Sequence, residues 1–175
     1  MGEAAQDAQY HQAAAEYGAA LERLARAYEF DRERRRDLLQ EIHLALWRSF
    51  ALFDGRCSPR TWVYRVAHNA AVSYAVGRRR SGDRNLVSLE EVALTLGDSD
   101  GDAAAGRRQA LARLTELVQR LKPLDRQVIV SYLEGMDAGS IGEITGLSAS
   151  NVATKIHRIK TVLARRFSER DPHAE

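Results

Sequence analysis

Ser150, Asn151, Thr154, Lys155 and Arg158 fall close together near the start of one helical stretch. Hydroxyl, amide, ammonium and guanidinium groups in that pattern suit hydrogen bonding to base edges. Asn matches adenine, Arg or Lys matches guanine, and Ser and Thr are permissive. Val152, Ile156, Ile159 and Leu163 form a separate apolar stripe, spaced four, three and four as a packed helical face requires. Upstream, Ser140-Ile141-Gly142-Glu143 reads as a capping box for a shorter helix. Gly146-Leu147-Ser148 supplies the turn between the two, with Ser148 as cap of the second helix. The pattern is a helix-turn-helix and points to DNA. An ordinary two-helix hairpin with a solvated charged face shows the same stripes.

Ala, Leu, Arg and Glu dominate the 175 residues, and no sustained period-two alternation marks a strand. The expected fold class is all-α, two small helical domains joined by a flexible acidic linker, the C-terminal one a helix-turn-helix. The net charge of +2 says little, but its distribution is uneven. From Gly55 to Gly82 there are six arginines and no acid; from Ser81 to Gly106 there are six acids against one Arg84. The second stretch has the composition of a tether. The expected organisation is therefore a frayed N-terminus over 1–12, a helical domain over 13–80, a linker over 81–106, a second helical domain over 107–167 and a tail over 168–175.

Within the first domain helices are expected over about Ala13 to Glu29, Arg32 to Leu52 and Pro59 to Arg79. Leu38, Ile42, Leu46 and Phe50 recur every fourth residue along the second. Ser58 caps the third, and Pro59 stands at its first position, where a missing N–H costs nothing.

Cys57 is the single cysteine, which excludes an intramolecular disulfide and a cysteine-ligated metal cluster. Five scattered histidines without carboxylate or histidine partners at ligand spacing give no metal site, and no glycine-rich loop offers a phosphate cradle. No cofactor and no enzymatic activity are expected. The apolar runs are too short for a membrane span, and Met1 to Gln12 lacks the pattern of a secretion signal. A cytoplasmic protein is expected.

Two ordered sets of residues resemble a family. Asp37-Leu38-Leu39-Gln40-Glu41, Leu46-Trp47, then Thr61-Trp62-Val63-Tyr64-Arg65-Val66-Ala67-His68-Asn69-Ala70-Ala71 and the basic Arg78-Arg79-Arg80 resemble region 2 of bacterial sigma factors. Leu121, Pro123, Arg126, Gly135, Glu143-Ile144, Gly146-Leu147-Ser148, Val152, Lys155 and His157-Arg158 resemble region 4. The pair, in that order with a short linker, resembles the extracytoplasmic-function group. Ser73 stands where members commonly carry an acid, and Lys122 is inserted in a common Leu-Pro pair.

The resemblance implies a transcription initiation factor that binds core RNA polymerase and promoter DNA and is held by an anti-sigma factor or similar inhibitor. Asp37, Gln40, Glu41 and Trp47 would meet polymerase. Asp37 and Glu41 pairing with Arg34 or Arg36 on a solvated face is the alternative. Arg56, Arg60, Trp62, Arg65, Asn69, Arg78 and Arg79 would contact the downstream promoter element, where the loop from Phe53 to Arg60 would receive a flipped base. Cationic grooves and aromatic faces grip single strands, and Tyr64 adds a second aromatic to that segment. Trp62 as a core residue is the competing reading. Ser150, Asn151, Thr154, Lys155 and Arg158 would read the upstream element in the major groove. Arg126 would touch phosphate or pair with Asp125 or Glu134. A conventional helix-turn-helix regulator acting on duplex DNA without polymerase is the alternative function.

Overall fold

The computed structural model describes residues 3–79 and 103–168. Met1, Gly2, Arg80, most of the expected linker (81–102) and nearly all of the expected tail (169–175) lie outside the described residues. Those described form seven helices and no strand. They are α1 (Glu3–Tyr28), α2 (Arg32–Phe50), α3 (Pro59–Arg79), α4 (Ala103–Arg120), α5 (Pro123–Leu133), α6 (Ala138–Thr145) and α7 (Ala149–Ser168).

The first three pack around one another because each carries an apolar row. In α1 the row is Leu21, Leu24, Ala25 and Tyr28; in α2 it is Leu38, Ile42, Leu46 and Phe50; in α3 it is Val63, Ala67 and Ala71. Asp31 starts α2 by accepting from the main-chain N–H groups of Glu33 and Arg34, and α2 ends at Phe50, two residues before the expected Leu52. At α3 the Ser58 hydroxyl accepts from the Thr61 N–H at 3.0 Å and Pro59 opens the helix, as its sequence predicts.

Helix α1 begins ten residues before the expected Ala13, so Glu3 to Gln12 are helix rather than a frayed end. Polar bonds to α2 hold this extension. Gln6 Nε2 donates to the Trp47 carbonyl and Trp47 Nε1 donates to Asp7, both at 2.7 Å, while the Tyr10 hydroxyl meets His43 Nδ1 at 3.1 Å. Helix α4 likewise takes in Ala103 to Gly106, which compose as tether.

Helix α5 carries the main departure from two independent cores. Arg126 to Ser131 are six consecutive buried residues, and a helix covered on every side lies inside a molecule. It packs on α4, α6 and α7 in its own half and on α1 and α3 in the other. The apolar core consequently runs continuously from Leu21, Ile42 and Val63 to Ile129, Ile141 and Ile159. Arg126, 3% exposed, is enclosed in that core rather than turned outward to a phosphate. Its guanidinium donates to the carbonyls of Val118, Gln119 and Leu121, closing the end of α4, and lies 4.9 Å from the Tyr28 ring centre.

Candidate nucleic-acid interface

The helix-turn-helix is built by α6 and α7. Its first cap is Asp137, not the expected Ser140 box. The Asp137 carboxylate accepts from the Gly139 and Ser140 N–H groups at 2.9 and 3.0 Å and from the Ser140 hydroxyl at 2.7 Å. Those three donors hold its carboxyl below the usual range, the Ser140 N–H first among them. Asp137 competes successfully because it stands one residue before the helix, whereas Ser140 is already in its first turn.

Gly146 takes φ +76°, the left-handed conformation that reverses the chain, and its N–H closes on the Gly142 carbonyl at 2.8 Å. A Cβ on Gly142 would stand 2.6 Å from the Leu147 carbonyl oxygen. The two helices meet at their angle only because that position lacks a side chain. Ser148 then caps α7, its hydroxyl accepting from the Asn151 N–H at 3.3 Å.

Val152 and Ile159 are buried and Ile156 and Leu163 half-buried, which turns the opposite face outward. Ser150, Asn151, Thr154 and Arg158 are exposed. The Thr154 hydroxyl donates to the Ser150 carbonyl at 3.0 Å, so its lone pairs face outward as acceptors. Lys155 differs from the other four. Its Nζ is 2.6 Å from Asp125 Oδ1 of α5, and both side chains are largely covered. The ion pair ties α7 to α5 and draws the ammonium toward Asp125.

The residues expected at the downstream element are spread over several environments. Arg56 is exposed and pairs with Asp54 at 2.6 Å within a turn made by Gly55 at φ +74°. Asn69 is exposed on α3. Trp62 takes the core-residue reading: half-buried, it donates Nε1 to Ser49 at 3.0 Å and packs its ring 5.3 Å from Phe53. Tyr64 is 2% exposed and therefore no stacking platform in this arrangement. The guanidinium of Arg65 is partly enclosed, its Nε buried. Arg60 donates to the main-chain carbonyl of Glu134, across the contact between the halves. Arg78 and Arg79 end α3.

Around Glu134 the two halves share a polar seam. Arg23 clasps its carboxylate with two bonds of 2.7 Å, and the Tyr64 hydroxyl donates to it at 3.2 Å. Arg23 holds the Glu134 carboxyl below its usual range, while burial first and the Glu134 charge second push Tyr64 up to about 12. Deeper in the seam, His68 is fully buried between the Tyr28 hydroxyl at 3.0 Å and the Ser131 hydroxyl at 3.1 Å. Burial pushes the imidazole down to about 3.

On α2, Asp37, Gln40 and Glu41 are exposed together. Leu44 joins them one turn on and is 41% exposed, an apolar member of that face which its periodicity with Gln40 and Glu41 makes visible. Trp47, expected beside them, instead turns its indole toward Asp7 of α1. Among the described residues no helix is long and apolar enough to cross a membrane, and no three metal-ligating side chains converge.

Comparison with known proteins accords with this architecture. Residues 14–81 match the model for sigma-70 region 2, and residues 111–163 match that for sigma-70 region 4. The RNA polymerase sigma factor CnrH of Cupriavidus metallidurans is 29% identical over 161 residues, covering 89% of this chain and 84% of that protein. The ECF RNA polymerase sigma factor SigG of Mycobacterium tuberculosis is 28% identical over 149 residues, and the chain spans 40% of its length. The ECF RNA polymerase sigma-E factor of Haemophilus influenzae is 28% identical over 134 residues, 73% of this chain and 71% of that one. The fold is that of CnrH in its complex with the cytosolic domain of CnrY, at a TM-score of 0.65 and 23% identity, over 91% of this chain and 88% of that one. With both regions matched in order, the chain belongs to the sigma-70 family of RNA polymerase sigma factors, among relatives of the extracytoplasmic-function group.

Proposed function

We propose that the chain directs core RNA polymerase to specific promoters and assists their melting, with its tasks divided between the two halves. Helix α7 enters the major groove of the upstream promoter element and reads bases through Ser150, Asn151, Thr154 and Arg158. Lys155 sets the angle of α7 through Asp125 and contributes less to base reading. The region 2 half binds the downstream element through Arg56, Arg60, Arg65 and Asn69, with Arg78 and Arg79 at the helix end and Trp62 supporting the loop from behind. Polymerase docks on the exposed face of α2 at Asp37, Gln40, Glu41 and Leu44, and Trp47 braces α2 against α1 through Asp7. By likeness to CnrH, which is known in complex with CnrY, an inhibitory protein partner is part of this reading. The work is regulatory rather than enzymatic and belongs to the cytoplasm, where polymerase meets DNA.

The observation that carries the reading is the exposed cluster at the start of α7, presented by a built helix-turn-helix in a chain that also holds a region 2 match. A conventional regulator has no use for the region 2 half. In vitro transcription with bacterial core polymerase, on a fragment carrying the promoter of the protein's own gene cluster, tests it. Start-specific transcripts that require the protein and fade with Asn151→Ala plus Arg158→Ala are expected. Tight duplex binding by the protein alone, with no polymerase association, would point to the conventional regulator instead.

A further inference from the structure

The first turns of α1 are attached to α2 by polar groups rather than by a shared core. From Ala4 to Gln12 no residue is buried, and Ala13 is the first along α1 to join the core. Two of the bonds meet at Trp47, whose carbonyl accepts from Gln6 Nε2 and whose Nε1 donates to the Asp7 carboxylate, each at 2.7 Å. The third joins the Tyr10 hydroxyl to His43 Nδ1 at 3.1 Å, with the two rings edge-on and 6.0 Å apart.

All three grip one flank of α2. At about 100° per residue, His43 and Trp47 form a row midway between two others. On one side is the buried row Leu38, Ile42, Leu46 and Phe50; on the other is the exposed face of Asp37, Gln40, Glu41 and Leu44. Apolar packing is non-directional and tolerates a small rotation of a helix about its own axis. Hydrogen bonds weaken steeply with angle, so bonds on the flank resist that rotation. The bond to Asp7 is the strongest of the set, because its acceptor is a carboxylate.

We infer that Gln6, Asp7 and Tyr10 are positioning residues for polymerase docking. Without touching polymerase, they hold α2 at the rotation that presents Asp37, Gln40, Glu41 and Leu44. The inference rests on the reading of that face as the polymerase surface.

Affinity of the full-length chain for bacterial core polymerase, measured by fluorescence competition, tests it. Asp7→Ala should weaken binding about threefold or more, the worth of one good hydrogen bond. Asp7→Asn keeps an acceptor oxygen toward the indole and should restore most of the loss. Because Asp7 acts through the α2 face, Asp7→Ala should lose most of its effect in a Gln40→Ala, Glu41→Ala background. The urea midpoint should barely move, since no core side chain is removed. The Trp47 indole N–H, assigned by its disappearance in Trp47→Phe, should exchange faster with solvent in Asp7→Ala and regain protection in Asp7→Asn. Unchanged affinity in Asp7→Ala, an equal loss in Asp7→Asn, or a fully additive loss in the Gln40→Ala, Glu41→Ala background would overturn the inference. Failure of the docking reading has a different signature: Gln40→Ala with Glu41→Ala leaves affinity unchanged while the indole still responds to Asp7→Ala, and the inference then falls with that reading.

Discussion

Helices α7 and α3 carry the two sets of DNA-facing candidates, and they are presented in opposite ways. On α7 one face is buried by α5 and α6, and four of the five candidates stand in solvent. On α3 the apolar row is buried against α1 and α2, and a second row, Tyr64 and His68, is buried against the other half. Only Asn69 among the α3 candidates with described side chains is exposed, the others being half-buried. On the proposed reading, the head that meets duplex is preformed, whereas Arg60, Trp62 and Arg65, proposed for the melted strand, are half-buried. The proposed division puts base reading on an exposed helix face and strand contact on a partly covered one.

The largest effect that separates the two regions should come from the α7 core. Ile159→Ala removes a side chain 1% exposed and should cost about 2–5 kcal/mol, read as a lowered urea midpoint. Upstream-element binding should go with it, and retention of polymerase binding through α2 would sharpen the division of labour. Gly142→Ala comes next. Its Cβ would meet a main-chain oxygen that cannot rotate aside, so a loss of about 1–3 kcal/mol is expected together with weakened duplex binding by fluorescence anisotropy. An unchanged affinity would show that the angle between α6 and α7 does not matter.

Acidification probes the α3 side. His68 sits near 3 when buried and takes its ordinary value of about 6.5 once exposed. The opened or unfolded chain therefore binds the proton more readily. Stability is fully present above about pH 6.5 and is lost progressively as pH falls toward 3. Roughly 1 kcal/mol should be gone one unit below the ordinary histidine value. Tyr28 and Ser131 hydroxyls face the ring, and neither is an acid that would hold the imidazolium. Half-buried His43, also lowered by burial, acts in the same direction. Urea midpoints across that range check this, and His68→Gln should flatten the curve. The smallest effect belongs to Asp125→Asn, which breaks a partly exposed pair and should shift stability by about 0–1 kcal/mol. In duplex binding Lys155→Ala should cost less than Asn151→Ala; the reverse order would return Lys155 to the bases.

The contrast also explains which parts could be read from the chain alone. The fourfold spacing in α2, the Ser58-Pro59 start of α3 and the Gly146-Leu147-Ser148 turn depend on residues near in sequence, and all three appear as expected. What escaped depends on partners far away. The alanine-rich start of α1 has no strong apolar stripe and is held by Trp47 and His43, about 40 and 33 residues on. Tyr64 reads as a stacking aromatic until Glu134, 70 residues away, takes its hydroxyl. Lys155 reads as a base contact until Asp125 arrives from α5. The burial of α5 on all sides was foreshadowed by Val128-Ile129-Val130, an apolar run too short to be told from an ordinary half-buried helix.

Site-directed cleavage of a promoter tests the division between α3 and α7 most directly. In a Cys57→Ser background, an iron chelate is attached at Ser73→Cys on α3 or at Ala153→Cys on α7, both exposed. With core polymerase bound, the α3 probe should cut at the downstream element and the α7 probe at the upstream element, at a fixed separation, and the α3 cuts should vanish without polymerase. Cutting by both probes at one duplex site, independent of polymerase, would contradict the account.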